Sequence, residues 1–218
     1  MACTRRDLMP YPAGHRDRTR ERIVRSARTL FNRHGFSEVS IEDVMARAGL
    51  TRGGFYSYFE TKSSLYAEAI MHAMREPPVV RCPGTRVDFA TVDAAHQIIN
   101  AYLSCEHFED IDGSCPLVAL PSDVSRSDPT VKRAFESVFQ GMVGLFEKGL
   151  GEGDGKGRDL SLAIASLCVG GMVVARSLEN RELADALRDA TKRVALRLAG
   201  WHQPNRQKLA SEQAKVKA

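Results

Sequence analysis

Between residues 51 and 62 the chain sets Arg52, Tyr56, Ser57, Tyr58 and Lys62 around the bare pair Gly53-Gly54. Guanidinium, phenol, hydroxyl and ammonium groups are the donors that contacts to nucleic-acid phosphates and base edges require. Adjacent glycines cost roughly 1 kcal/mol each in helix propensity relative to alanine, so a helix selected for stability alone would not carry them. Missing side chains let the backbone approach something bulky. The plainer reading, a surface turn in which two glycines end a helix, leaves the surrounding donors without a purpose.

The residues ahead of this stretch look built to position it. Ser40 stands at an N-cap with Asp43 three places on as the acidic partner of a capping box, and Ile41, Val44, Met45 and Ala48 recur at helical spacing. A helix is expected over residues 41–48. Gly49 can take the left-handed conformation that ends it, Leu50 is an apolar plug, and Thr51 is a second N-cap. Two short helices joined by a glycine turn have helix-turn-helix spacing.

The run Thr51-Arg52-Gly53-Gly54-Phe55-Tyr56-Ser57-Tyr58-Phe59, followed by Lys62 and Leu65, resembles the N-terminal domain of the TetR family of transcriptional repressors. That pattern is a cap, a short recognition helix ending in Tyr-x-Tyr/His-Phe, and a lysine opening the next helix, and the resemblance covers about residues 18–75. It implies that Arg52, Gly53, Gly54, Tyr56, Ser57 and Tyr58 face the major groove, with Thr51 and Lys62 on phosphates. Ser40 completes the DNA-binding candidates, while Phe55 and Phe59 are expected to point into the small domain's core.

The 218 residues are 43% apolar, enough for a real core in one or two domains. Through residue 76 there are 13 basic and 9 acidic side chains, and 18 of each follow, so the whole net charge of +4 sits on the part expected to bind DNA. Basic and polar residues interrupt positions 1–22, so no secretory signal fits and a cytoplasmic location is expected. Residues 1–17 read as a flexible basic arm, open to two readings: a minor-groove contact or a plain tail. Residues 18–75 form the DNA-binding domain. Its first helix carries Ile23, Ala27, Leu30 and Phe31 on one stripe and ends near Gly35, and its last, residues 62–75, is stopped by Pro77-Pro78. That last helix is the expected lever for a ligand signal.

Residues 76–201 are expected to be an all-α ligand-binding and dimerisation domain, and 202–218 a disordered tail. After a linker at 77–90, helices are expected near 92–105, 116–124, 129–149, 160–175 and 181–200, with an acidic loop at 106–113. The glycine-rich stretch 151–157 reads as a loop; no strand precedes it and the Gly-Lys-Ser/Thr ending of a phosphate cradle is missing. The apolar run 160–175 falls short of the roughly 20 residues that span a bilayer, so no membrane is expected. Leu183, Leu187, Ala190, Val194 and Leu198 make a stripe that, with the 160–175 helix, could form a four-helix bundle with a second copy, Gly170, Gly171 and Ala175 allowing close approach. Burial within one chain is the alternative.

Apolar pockets with few polar groups are how small-molecule sites are built, and His96, Asn100, Tyr102, Phe135, Phe139 and Met142 are the candidate lining. Cys105 and Cys115 flank the acidic loop, and a thiol at a helix end near His107 could have a lowered pKa and act as a redox switch; two half-buried inert thiols are the other reading. His96, Cys105, His107 and Cys115 lack a zinc-type spacing, so no metal is expected, nor any cofactor. No nucleophile elbow, His-Glu-x-x-His or nucleotide fingerprint points to an enzyme. The expectation is a homodimeric, all-α repressor released from a near-palindromic double-stranded operator by a small-molecule effector. A thiol-switched regulator or an activator of the same fold are the alternatives.

Overall fold

Two glycines in left-handed backbone set the plan of the N-terminal domain. Gly35 (φ 77°) breaks α1, His15–Glu38, and Gly49 (φ 68°) ends α2, Ile41–Arg47, as the sequence predicts. At Gly49 the turn closes through Gly49 N–H to Ala46 O (2.9 Å) and Leu50 N–H to Met45 O (2.8 Å). The structure, a computed structural model, describes residues 14–77, 87–89, 91, 93–151 and 156–201. The arm ahead of residue 14, most of the 77–90 linker, residues 152–155 and the tail beyond 201 lie outside the described residues, as do Cys3 and Cys82.

α1, α2 and α3, Lys62–Arg75, enclose a core of Ile23, Phe31, Val44, Met45, Phe55, Leu65 and Tyr66, each at most 1% exposed. The aromatic rings interlock, Tyr66 edge-on to Phe31 at 4.7 Å and stacked on Phe36 at 4.8 Å. α3 then runs on past this core and packs along α8, Pro129–Leu150, in the second domain. The elements joining the two domains therefore include the predicted lever.

The second domain is helical throughout its described residues: α4 Ala94–Tyr102, α5 Cys105–Glu109, α6 Pro116–Ala119, α7 Pro121–Ser125, α8, α9 Lys156–Arg176 and α10 Arg181–Leu198. Three boundaries differ from expectation. The 92–105 helix stops at Tyr102, because the Ser104 hydroxyl accepts the His107 N–H (3.1 Å) and opens α5 inside the supposed acidic loop. The 116–124 helix is two helices, since Pro121 has no N–H to continue the ladder. α9 has 21 residues and is long and apolar enough to cross a membrane by length and composition, yet Ile164, Ala165, Cys168, Met172 and Ala175 are wholly buried in the protein. It serves as a core helix between α8 and α10.

α10 turns its polar side inward. Ala184, Arg188, Thr191 and Ala195 are buried, while Leu183 (54% exposed), Val194 and Leu198 face out, as does Val174 of α9. The small residues divide: Gly171 lets Thr191 approach, a Cβ there falling 2.7 Å from its Cγ2, and Ala175 is buried, so both serve packing within the chain. Only Gly170 is open to the outside, which corrects the expectation that all three admit a second copy.

Candidate nucleic-acid interface

Ser40 and Asp43 fix the start of α2. The Ser40 hydroxyl accepts the Asp43 N–H (3.1 Å) and donates to Asp43 Oδ2 (2.6 Å), which also accepts the Ser40 N–H (2.9 Å). These bonds to Ser40 hold the Asp43 carboxyl below its ordinary pKa. Ser40 is thus engaged in the capping box that orients the helix.

The reading segment, Arg52–Ser57, is a 3-10 helix rather than the expected α-helix. Thr51 has the extended backbone of an N-cap (φ −86°, ψ 150°), but its side chain makes no capping hydrogen bond. Phe55 (0% exposed) and Phe59 (4%) anchor the segment from beneath, stacked at 5.8 Å. Outward stand Arg52, Gly53, Tyr56 and Ser57, with Tyr56 64% exposed and braced edge-on against Phe55. Gly54 and Tyr58 are half-buried at the rim. Arg52 pairs with Glu42, an exposed ion pair of the kind that contributes little and is readily exchanged for another anion.

The glycines are informative through their surroundings. Neither has a positive φ; a Cβ on Gly53 would meet nothing within 4 Å, and one on Gly54 only Met45 Cε at 3.6 Å. Nothing among the described residues demands glycine at either place. The backbone at Gly53 is open to the surface.

Lys62 departs from the expected phosphate role. Its ammonium donates to the Phe36 carbonyl and lies over the Phe36 ring at 4.2 Å, and desolvation lowers its pKa. This cation holds α3 to the segment after α1. Lys62→Met should lower the melting stability by about 1–2 kcal/mol, the worth of one charge-assisted hydrogen bond, and leave the salt dependence of DNA binding unaltered. A flatter salt dependence with unchanged melting would return Lys62 to the phosphates.

Two residues that the sequence reading passed over support the segment. Arg16 Nη2 donates to Ser57 O (2.9 Å), and Arg20 donates to Tyr58 O (3.3 Å) while covering the Phe59 ring at 4.4 Å and pairing with Glu68. Their i, i+4 spacing on one face of α1 was the available signal. They pin the segment's C-terminal end.

A profile described as "Bacterial regulatory proteins, tetR family" matches residues 23–69, which include α2, its turn and the reading segment. Over these residues the chain is similar to the DNA-binding region of the TetR family. The Bacillus subtilis regulator YfiR is 32% identical over 62 residues, 28% of this chain and 30% of that protein. The chain thus spans less than a third of the first curated relatives it matches. The longer match to the repressor DhaR of a Mycobacterium species is 23% identical and covers 65% of this chain and 72% of that one. Among solved structures, the reduced form of E. coli NemR shares the fold at TM-score 0.65 and 16% identity, covering 83% of this chain and 97% of its own. A SmeT–triclosan complex does so at 0.56 and 24%, covering 82% and 90%. The relatives and neighbours with a stated role are regulators, and none is named as an enzyme.

In the second domain's contact with α3, a cavity of about 380 Å³ opens where α3, α4 and α8 meet. Tyr102 and Met142 line it as expected. Phe135 and Phe139 are half-buried core residues, and Asn100 bonds back to His96 O (3.0 Å) on the same helix; none of these four is on its wall. Ala73 and Met74 were missed because α3 belongs by sequence to the other domain, and Leu117 of α6 because only the tertiary fold brings it to the wall.

Behind the cavity lies a polar staple between domains. Arg28 of α1, 4% exposed, donates to Gly113 O (2.9 Å), Ser114 O (3.5 Å) and Glu76 O (3.3 Å), and its Nη1 lies 3.2 Å from His72 Nδ1. Asn32 adds bonds to Asp112 O and Ser114 O, and the Phe36 N–H to Asp123 Oδ2 (2.9 Å). Arg176 of α9 secures the same loop from the other side through Phe108 O (3.1 Å) and Asp110 O (3.2 Å).

The thiols do not meet the expectation of lowered pKa. Cys105 is exposed but raised, by desolvation and by its hydrogen bond to the Glu109 carboxylate, and Cys115 is raised by burial. His107, wholly buried and pushed down to about 4 by burial, donates through Nδ1 to Tyr102 O (2.7 Å) and activates neither. One further group, Glu21, His72 and Glu76, could meet around a cation, but Arg25 pairs with both glutamates and Arg28 with the histidine. Guanidinium groups already supply the positive charge there.

Proposed function

We propose that the protein is a cytoplasmic, homodimeric transcriptional repressor that reads a near-palindromic double-stranded operator and is released by a small apolar molecule in the cavity. The observation that carries the DNA-reading part is the pair Gly53-Gly54, bare without a cause among the described residues and flanked by outward donors on a segment anchored by Phe55 and Phe59. The exposed apolar stripe of α10 supports the dimer, and α3, which both follows the reading segment and walls the cavity, supports the ligand response. The SmeT–triclosan complex is a protein of this fold with triclosan bound. A ligand acts only through differential affinity for the two states, here dimers whose reading segments sit at different spacings.

The test is a fluorescence-anisotropy titration against the DNA upstream of the protein's own gene, with competitor DNA, for wild type and Gly53→Ala. Wild type should bind at nanomolar concentration. Gly53→Ala should bind at least about tenfold more weakly while melting at the same or a higher temperature, since alanine in open space stabilises by about 0.4–1 kcal/mol. Unchanged affinity in the variant, or no specific site even in DNA selected from a random pool, would end this reading.

A further inference from the structure

With Lys62 turned inward, the cation that the reading segment itself presents is Arg52, and it is paired with an acid. Its Nη1 meets Oε1 of Glu42, a residue in the first turn of α2, and the two side chains are 63% and 49% exposed. The pair joins α2 to the reading segment beside the open backbone of Gly53. A helix favours an acidic side chain in its first turn, but Asp43 already fills that place and closes the cap on Ser40. The Glu42 carboxylate is directed instead to the residue that opens the reading segment.

On a surface that meets DNA this acid has a cost. Duplex DNA carries a dense row of negative phosphates, so a carboxylate here is repelled, and it also occupies a guanidinium that could neutralise a phosphate. A surface shaped only for sequence-independent attraction would leave Arg52 free. The major groove offers a different partner. Guanine presents O6 and N7 to a guanidinium, and its paired cytosine presents an N4 amino group that a carboxylate accepts. An adjacent arginine and glutamate therefore match that base pair in charge and in donor pattern, whereas a phosphate matches the arginine alone. Because the ion pair is exposed, it loosens at little cost when such a base pair arrives.

We propose that Glu42 is a specificity-determining residue of this interface: together with Arg52 it reads a G·C base pair, and on other DNA it withholds Arg52 from the phosphates. The proposal rests on the regulator reading and adds to it the residue that separates operator from other sequence.

Glu42→Gln keeps the shape of the side chain and removes its charge. Anisotropy titrations against an operator selected from a random pool, and against unrelated duplex, should show the ratio of the two affinities falling at least about fivefold, the low end of what one base contact discriminates. On unrelated duplex the logarithmic salt slope should steepen by about one unit, as one added phosphate contact requires, and Arg52→Ala in the Glu42→Gln background should remove that unit. Selection with the variant should relax the preference at one G·C pair in each half-site and keep the others. Glu42→Asp, which retains the charge, should keep the wild-type slope. An unchanged ratio, equal tightening on both DNAs, or a steeper slope that persists without Arg52 would each overturn the assignment. Wild-type protein that selects no specific site would end the regulator reading and this assignment with it. A specific wild type whose ratio survives Glu42→Gln would end this assignment alone.

Discussion

Leu183→Glu combined with Val194→Glu should give a folded monomer whose operator affinity is at least about a hundredfold below that of the wild type. The two side chains are 54% and 43% exposed, on a face of α10 that also carries Leu198 at 45%, with Val174 of α9 at 50%. A contiguous apolar face of this kind marks an association surface. Its inward counterpart, Ala184, Arg188, Thr191 and Ala195, already packs the bundle, so the substitutions touch solvent and not the core. Carboxylates placed there would have to be buried against their own copies, which like-charge repulsion and desolvation forbid. On the proposed dimeric reading the DNA effect follows, because a dimer would engage two half-sites about one helical turn apart and a monomer would lose the second as an intramolecular event. Sedimentation equilibrium gives the mass, a thermal melt the integrity of the fold, and anisotropy the affinity. A variant that stays dimeric would put the interface elsewhere. A monomer that binds the full operator as well as wild type would remove the dimer from the mechanism.

What the sequence made legible was local. The capping box of Ser40 and Asp43, the left-handed Gly49 and the anchors Phe55 and Phe59 depend on neighbours within a few positions, and the structure realises each. The cap at Ser104 is equally local but went unread, because Cys105 was taken to end a helix that in fact stops at Tyr102. The direction of Lys62 depends on Phe36, which is 26 positions away, and no periodicity reveals that an ammonium will be drawn inward by a carbonyl and a ring. The cavity wall was only partly readable for the same reason. Phe135 and Met142 lie on one broad face of α8, yet which of them meets a void is decided by where α3 crosses it. Polarity on α10 was legible as a stripe, but its sense, leucines out and Arg188 in, required the tertiary fold.

Arg28→Met should destabilise the protein by about 3 kcal/mol, or roughly 6–12 °C in melting temperature for a chain of this size. The methionine keeps most of the stem's volume and removes the fork's bonds to the carbonyls of Glu76, Gly113 and Ser114 and to the ring nitrogen of His72, while Asn32 still donates to Ser114 O. Burial and the nearby arginines lower the pKa of His72, while Glu21, 2.6 Å from its Nε2, opposes them. Neutral His72 with its proton on Nε2 donates to Glu21 and presents the Nδ1 lone pair to Arg28, so the tautomer is set by the two partners together. Arg28→Lys should restore only part of the loss, because one ammonium cannot reach acceptors on α3 and on the 113–114 loop at once. The consequence for function follows from what those acceptors adjoin. Ser114 precedes the cavity residue Cys115, and Glu76 follows the cavity residues Ala73 and Met74, so Arg28 ties α1 to both walls that an occupant would move. Arg28→Met should therefore also blunt the release of DNA by any ligand that fills the cavity, measured at a temperature where the variant remains folded. Melting within 1 kcal/mol of wild type would show that water replaces the guanidinium there. Full ligand response despite the lost stability would leave α3 alone as the connection between cavity and DNA.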